Sequence, residues 1–155
     1  MIHYSRANLL DLFSIEHMEK ECFTTEAFNR RLIKSLLSSP QTHVFKATTP
    51  SGKIVGNIIG VTHCVGGQTI GRIFSLCVSK EFRKKGIACR LVTLLEEGFF
   101  LRGIKQIHLE VNALNTTAHS FYKRCGYCMT HHILPHFYHD GSDAYVMIKD
   151  LRKAL

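Results

Sequence analysis

The sequence predicts an α/β fold, a mixed sheet with helices on both faces in the order β-α-α-β-β-β-α-β-α-β-β. Three observations carry that expectation. Blocks with apolar residues at helical spacing alternate with β-rich runs along the chain. Three consecutive β-rich runs in the middle are joined by hairpin punctuation, Pro50-Ser51-Gly52-Lys53 and Gly66-Gly67. Farther on, KQIHLEV alternates apolar and polar positions without a break.

Residues 1–6 fit a short opening strand. From Asn8 to Cys22 the apolar positions Leu9, Leu12, Phe13, Ile15 and Met18 recur at helical spacing. Thr25, Phe28, Leu32, Ile33, Leu36 and Leu37 repeat the pattern up to Pro40, which gives two helices in tandem. HVFKAT, KIVGNIIGVTHCV and QTIGRIFSLCV read as a three-stranded antiparallel meander. Residues 86–102 return to helical period, with Ile87, Ala88, Leu91, Val92, Leu95 and Phe99 on one stripe and Gly103 closing the helix. In KQIHLEV, Ile107, Leu109 and Val111 take one face, His108 and Glu110 the other. A helix from about Asn115 to Arg124, a strand near 126–134 and a last strand near 143–150 complete the order.

With 155 residues, 45% of them hydrophobic, three prolines and no low-complexity tract, the chain has the size of one compact domain spanning 1–155, with one core and one site. The N-terminus MIHYSRANLLDLFS has no apolar block of signal-peptide length, and nowhere do about 18 apolar residues run together. A cytoplasmic protein without a membrane partner is expected. Without a secretory signal, the six cysteines at 22, 64, 77, 89, 125 and 128 read as free thiols, mostly buried. A net charge of +8 and a pI near 9.3 suit an anionic partner. Charge alone leaves a nucleotide cofactor, nucleic acid and an acidic protein open.

RKKGIA, residues 83–88, narrows that choice. It joins an apolar strand ending at Val78 to the start of a helix, where backbone N–H groups lack intrahelical partners and the helix dipole adds positive charge. Gly86 admits a ligand close to the backbone, and Arg83, Lys84 and Lys85 supply charge to a diphosphate. The plain alternative is a solvated basic turn. Neither GxxxxGK[ST] nor GxGxxG occurs, so the phosphate carrier is neither a P-loop nucleotide nor a dinucleotide of the usual kind.

Arg83, Gly86 and Ala88 match Arg/Gln-x-x-Gly-x-Gly/Ala, the acetyl-CoA signature of the GCN5-related N-acetyltransferases, and the chain resembles that superfamily in three further segments. LEVNALNTTAHSFYKRCGY, 109–127, is similar to the family's LEV…N…A…YxxxGF/Y, with Asn115, Ala118, Tyr122, Gly126 and Tyr127 in register. FSLCV, 74–78, resembles the strand before the signature. FYHDGSDAYVM, 137–147, resembles the YY-DG-DAY-M ending of RimI-like protein N-terminal acetyltransferases. The resemblance is strong over about residues 70–150. Residues 1–69 fit in element order, with CFTTEAF where RimI-like sequences often carry a Pro-Trp pair. It implies the GNAT fold, acetyl-CoA as co-substrate, no metal, and direct attack by an amine in a ternary complex.

The chemistry requires a neutral amine, while an α-amino group has a pKa of roughly 8 and a lysine of roughly 10.4, so a base must take a proton. Glu110, turned away from the core-facing Leu109 and Val111, is the candidate, acting through water. His108 shares its face and is the alternative acceptor. Either is otherwise a surface strand residue. The resemblance makes Tyr122 the general acid for the departing thiolate, as against a core aromatic beside Phe121. It has the pantetheine arm pairing with the strand around Leu76, Cys77 and Val78, and a backbone N–H of Cys77 or Val78 then meets the oxyanion. Ile87 and Ala88 follow Gly86 at the diphosphate. Asn115 is open to two roles, N-cap of the next helix or contact to the pantetheine arm, and Ala118 lies one turn on. Phe137 and Tyr138 are expected over the peptide entrance.

Two other patterns weigh less. Cys125-Gly126-Tyr127-Cys128 matches CxxC but follows a helix rather than opening one. With His131, His132, His136 and His139 it has ligands enough for zinc, yet no second spaced pair completes a known module. The acceptor implied is a protein N-terminal α-amine. Lysine side chains, polyamines or other small amines, and a non-catalytic acyl-CoA sensor are the alternatives. Nucleic acid is disfavoured, since no aromatic-interleaved basic stripe occurs. A monomer or weak homodimer is expected.

Overall fold

The computed structural model of the protein describes residues 1–23 and 28–154. Its elements are β1 (His3–Arg6), a 3-10 turn (Leu9–Asp11), α1 (Leu12–Cys22), α2 (Arg30–Ser38), β2 (His43–Thr48), β3 (Ile54–Val65), β4 (Gln68–Val78), α3 (Ile87–Leu101), β5 (Gln106–Asn112), α4 (Thr116–Arg124), β6 (Cys128–Leu134), β7 (Ala144–Asp150) and α5 (Leu151–Ala154). This is the order read from the sequence, with a second 3-10 turn at Lys80–Phe82 and the short α5 added. The strands form one sheet in the order β1-β2-β3-β4-β5-β7-β6. Every neighbouring pair is antiparallel except β4 with β5.

Local chemistry sets the boundaries. The Asn8 side chain accepts from Leu10 N–H at 2.9 Å and Asp11 accepts from Asn8 N–H at 2.9 Å, a reciprocal cap that starts the first helical segment. Asn29 accepts from Leu32 N–H at 2.9 Å, so α2 begins at Arg30; Thr25, read as part of that helix, lies outside the described residues. α3 ends as its glycine predicts. With Gly103 at φ 80°, Ile104 N–H donates to Phe99 O and Gly103 N–H to Phe100 O, both at 3.0 Å. The strand expected from 126 begins at Cys128, because Gly126 and Tyr127 donate back to Lys123 O and Tyr122 O and close α4.

The two sheet faces bury different helices. On one, α3 sets Ile87, Leu91, Val92, Leu95 and Phe99 against Ile107, Leu109 and Val111 of β5 and Met147 of β7. Each such side chain contributes about 1.5–3 kcal/mol on burial. Close approach depends on Gly71, where an added Cβ would come within 2.7 Å of the Phe99 ring. On the other face, Leu12, Ile15 and Met18 of α1 and Ile33 and Leu36 of α2 cover β2, β3 and β4. Beneath α4, Tyr127 O–H donates to buried Glu96 at 3.0 Å and Lys149 Nζ donates to Glu96 at 3.1 Å and to Cys125 O at 2.7 Å. That network ties α4 to α3 and β7.

The six cysteines are free, but the expectation that most are buried is corrected. Cys77 alone is buried, Cys22 and Cys125 are half-buried, and Cys64, Cys89 and Cys128 are exposed. Cys64 sits near the projecting β3–β4 hairpin tip, Cys89 falls off the apolar stripe of α3, and Cys128 opens the edge strand β6. Among the described residues, no helix is long and apolar enough to cross a membrane.

Candidate active site

The site begins with a split in the sheet. β4 and β5 pair only at Gly71↔Ile107, Arg72↔His108 and Ile73↔Leu109, although β4 runs on to Val78 and β5 to Asn112. The cause lies on the other side of β4, where Ile59 pairs with Ser75 and Gly60 with Ile73, which leaves Phe74 as an extra residue. Such a bulge bends its strand. β5 stays paired with β7 through Asn112, so a wedge opens between Phe74–Val78 and the end of β5. Ser79 N–H donates to Val55 O on β3 at 2.8 Å, and strand alternation therefore turns the backbone groups of Val78 and Leu76 toward the wedge. Cys77, between them, points its side chain into the layer under α1 and is 1% exposed.

Glu110 is the first residue of β5 beyond the last paired rung. It forms an ion pair with Arg72, whose guanidinium also lies 5.2 Å from the Phe74 ring centroid. Together with His63, His108, Leu134 and Phe137, these two side chains line a cleft of about 260 Å³. Burial, and secondarily His63, holds the His108 imidazole below its ordinary value against the opposing pull of Glu110. Burial thus favours the neutral imidazole.

Tyr122 belongs to the other face of the sheet. Its ring meets Phe121 and Tyr127 edge-on at centroid distances of 5.1 and 5.7 Å. Burial pushes its hydroxyl above the ordinary tyrosine value, with Cys125, Cys77 and Tyr138 adding to the shift. The hydroxyl therefore keeps its proton through any neutral assay range. Asn115 caps α4, its Oδ1 accepting from Ala118 N–H at 3.0 Å. Phe137 and Tyr138 stack edge-on at 5.0 Å in the β6–β7 connection, which is tied by Tyr138 N–H to Ser142 O at 3.2 Å and Gly141 N–H to Tyr138 O at 2.9 Å.

At the far end of the wedge, α3 starts at Gly86, with φ 82° and no side-chain cap, and no acidic residue occupies its first turn. Uncapped N–H groups at the positive end of a 15-residue helix fit a phosphate. Lys84 takes φ 62°, Lys85 Nζ lies 5.4 Å from the Phe82 ring, and Arg83 turns back to donate from Nε to Val78 O at 3.0 Å. An unpaired strand edge beside an uncapped helix start suits a carrier that has both a peptide-like arm and a diphosphate.

The family model described as "Acetyltransferase (GNAT) family" matches residues 9–127. The chain belongs to the GNAT acetyltransferase family. It is an acetyl-CoA-dependent N-acetyltransferase. It is 36% identical over 140 residues to an uncharacterized N-acetyltransferase of Methanocaldococcus jannaschii, MJ1530, covering 90% of this chain and 85% of that one. The catalytic subunit NAA10 of the N-terminal acetyltransferase A complex of Arabidopsis thaliana is 26% identical, over 98% of this chain and 79% of its own. The ribosomal-protein-S18-alanine N-acetyltransferase of Escherichia coli superposes with a TM-score of 0.82 at 23% identity, covering 97% of this chain and 94% of that one, and shares the fold.

In this GNAT enzyme the structure brings Glu110, His108 and Phe137 into one cleft, while Leu76, Val78 and Arg83–Ala88 line the wedge and its far end. It does not gather His131, His132, His136 and His139 with the CxxC cysteines. Among the described residues no group of three or more His, Cys, Asp or Glu could hold a metal ion. Arg72, His63 and Leu134 were not singled out from the sequence. Alternation along β4 puts Arg72 on a face with Phe74, but its meeting with Glu110 depends on the β4–β5 register, which no local pattern encodes.

Proposed function

We propose that this GNAT enzyme acetylates the N-terminal α-amine of a protein or peptide. The observation that carries the reading is the cleft holding Glu110 at the wedge, bordered by Phe137 of the β6–β7 connection. A cleft of this volume, open to solvent, admits a chain end. The names of the Arabidopsis NAA10 relative and of the E. coli neighbour add support.

Acetyl-CoA supplies the activated acetyl group. In this reading the wedge-facing backbone of Leu76 and Val78, flanking Cys77, pairs with the pantetheine arm, with Asn115 and Ala118 at the start of α4 on the opposite wall. The N–H groups of Ile87 and Ala88, freed by Gly86, and the charges of Arg83, Lys84 and Lys85 hold the diphosphate. Because the sheet is split, groups on opposite faces can serve one carbonyl. Glu110 takes a proton from the incoming ammonium through water. The nitrogen lone pair forms the new C–N bond, and the wedge-facing N–H of Val78, rather than that of Cys77, stabilises the carbonyl oxygen as it gains charge. As the C–S bond breaks, Tyr122 gives its proton to the leaving thiolate, and the second proton shed by the acetylated nitrogen returns through water to the tyrosinate, leaving a neutral amide and the CoA thiol. Phe137 and Tyr138 flank the acceptor's backbone.

Turnover of acetyl-CoA against pooled peptides, each with a free N-terminus and an internal lysine, tests this. The expected label, located by mass spectrometry, falls on α-amines of peptides sharing first residues. Label on lysine, or turnover only with polyamines, would overturn the acceptor.

A further inference from the structure

Where α1 ends against β4, four side chains meet that the acetyl transfer does not use. Glu19 is fully buried, and its Oε2 accepts from Ser75 O–H at 2.7 Å and from Cys77 S–H at 2.8 Å. Its Oε1 is buried and has no hydrogen-bond partner among the described residues. One turn on, half-buried Cys22 packs against the layer that contains Cys77. Its Sγ lies 3.6 Å from Val78 O and 3.9 Å from the Nη2 of Arg83.

We propose that Cys22 and Cys77 form a peroxide-reactive dithiol site that closes to a disulfide between the end of α1 and β4. The two thiols are unequal, as such a site requires. The Cys77 thiol, first, and the Arg83 guanidinium hold Cys22 down to about 7, so a large fraction is thiolate at neutral pH. Burial, together with the charge of Glu19, pushes Cys77 well up and keeps it a thiol. Cys22 is the accessible nucleophile and Cys77 the shielded partner.

The steps balance with a hydroperoxide as oxidant. The Cys22 thiolate attacks the near oxygen of hydrogen peroxide, the O–O bond breaks, and hydroxide leaves with Cys22 as a sulfenic acid. As the Cys77 sulfur attacks the Cys22 sulfur and the S–O bond breaks, the Cys77 S–H proton passes along its hydrogen bond through the Glu19 carboxylate to the departing hydroxide, which leaves as water, so no free Cys77 thiolate is formed. Two thiols are oxidised by two electrons and the peroxide is reduced to water. This site stands apart from the identity of the acetyl acceptor. Its closure nevertheless engages the thiol that contacts both Val78 O and Arg83, and so reaches the wedge.

The test treats reduced protein with a few equivalents of hydrogen peroxide at pH 7, blocks remaining thiols with N-ethylmaleimide, and maps a non-reducing digest by mass spectrometry. A Cys22–Cys77 linked peptide is expected, with Cys22 consumed about fivefold faster than Cys64, since the larger thiolate fraction is partly offset by lower intrinsic nucleophilicity. Exposed Cys64, Cys89 and Cys128 serve as internal references. Cys22→Ser should abolish the linked peptide and leave Cys77 alkylatable after unfolding. The proposal is overturned if the exposed thiols react first, if Cys22 gains oxygen while Cys77 stays free, or if Cys77 links elsewhere in the Cys22→Ser protein. None of these readouts involves acetyl transfer, so the proposed function can fail without affecting the result.

Discussion

Arg72 and Glu110 form an ion pair across the last rungs at which β4 and β5 are still joined. Their side chains are 30% and 14% exposed, so the carboxylate is aimed into the cleft yet reachable from solvent. Arg72 is in turn fixed against the Phe74 ring, and Phe74 is the residue whose extra place in β4 opens the wedge. One local irregularity therefore both separates the strands and orients the group at their mouth.

Replacing Glu110 with Gln keeps the shape and removes the base. The expected result is a fall in kcat of about a hundredfold, at the low end of what a positioned general base contributes. The KM for acetyl-CoA should stay within about twofold, since Glu110 is not placed at the diphosphate end. Steady-state kinetics with both substrates varied checks this. A loss below about threefold would move proton removal to His108.

Tyr122→Phe removes one oxygen from a ring already packed between Phe121 and Tyr127. The fold should hold, with a thermal midpoint close to that of the parent. Turnover should drop by about a hundredfold while acetyl-CoA binding by calorimetry is unchanged. Because burial raises the hydroxyl above its ordinary value, the parent enzyme should show no alkaline fall in kcat from Tyr122 below about pH 10. Equal activity of the variant would make Tyr122 a packing residue.

Gly86→Glu acts on the other end of the wedge. An added Cβ meets no atom within 4 Å, so the change is not blocked by packing, although φ 82° costs a side chain about 1–2 kcal/mol. A carboxylate at the start of α3 competes for the uncapped N–H groups and repels a diphosphate. Acetyl-CoA affinity should fall beyond detection by calorimetry, with circular dichroism unchanged. Unaltered affinity would take the diphosphate away from α3.

Much of this was legible in the sequence because it is local. Gly103 closing α3, Asn115 capping α4 and the alternation of Ile107, Leu109 and Val111 each depend on neighbours within a few residues. The open edge at Leu76–Val78 was implied by the resemblance, which pairs the pantetheine arm with that strand, but its cause was not legible, since a bulge at Phe74 becomes visible only once β3 fixes the register. The Arg72–Glu110 pair spans 38 positions in sequence, and the Glu19–Cys77 contact 58. Such meetings are products of topology, and no periodicity announces them. The sequence reading ends the first helical stretch at Cys22 and gives Glu19 no role.

His43 opens β2 fully buried, with its ring edge-on to Phe99 at 5.0 Å and its Nδ1 3.4 Å from Arg6 Nη1. Burial, with Arg102 and Arg6 adding repulsion, lowers its value to about 4. The unfolded imidazole binds a proton below about pH 6.5, whereas the folded one resists until about 4, so the unfolded state gains protons first as acid is added. Stability contributed by neutral His43 is therefore complete above about pH 6.5 and is lost progressively on acidification to about 4, up to roughly 3 kcal/mol. Urea unfolding at pH 7, 5.5 and 4.5 should show the loss, and His43→Leu, which cannot titrate, should lose about 2 kcal/mol less than the parent over that interval. Parallel declines in the two proteins would place the acid sensitivity at other groups.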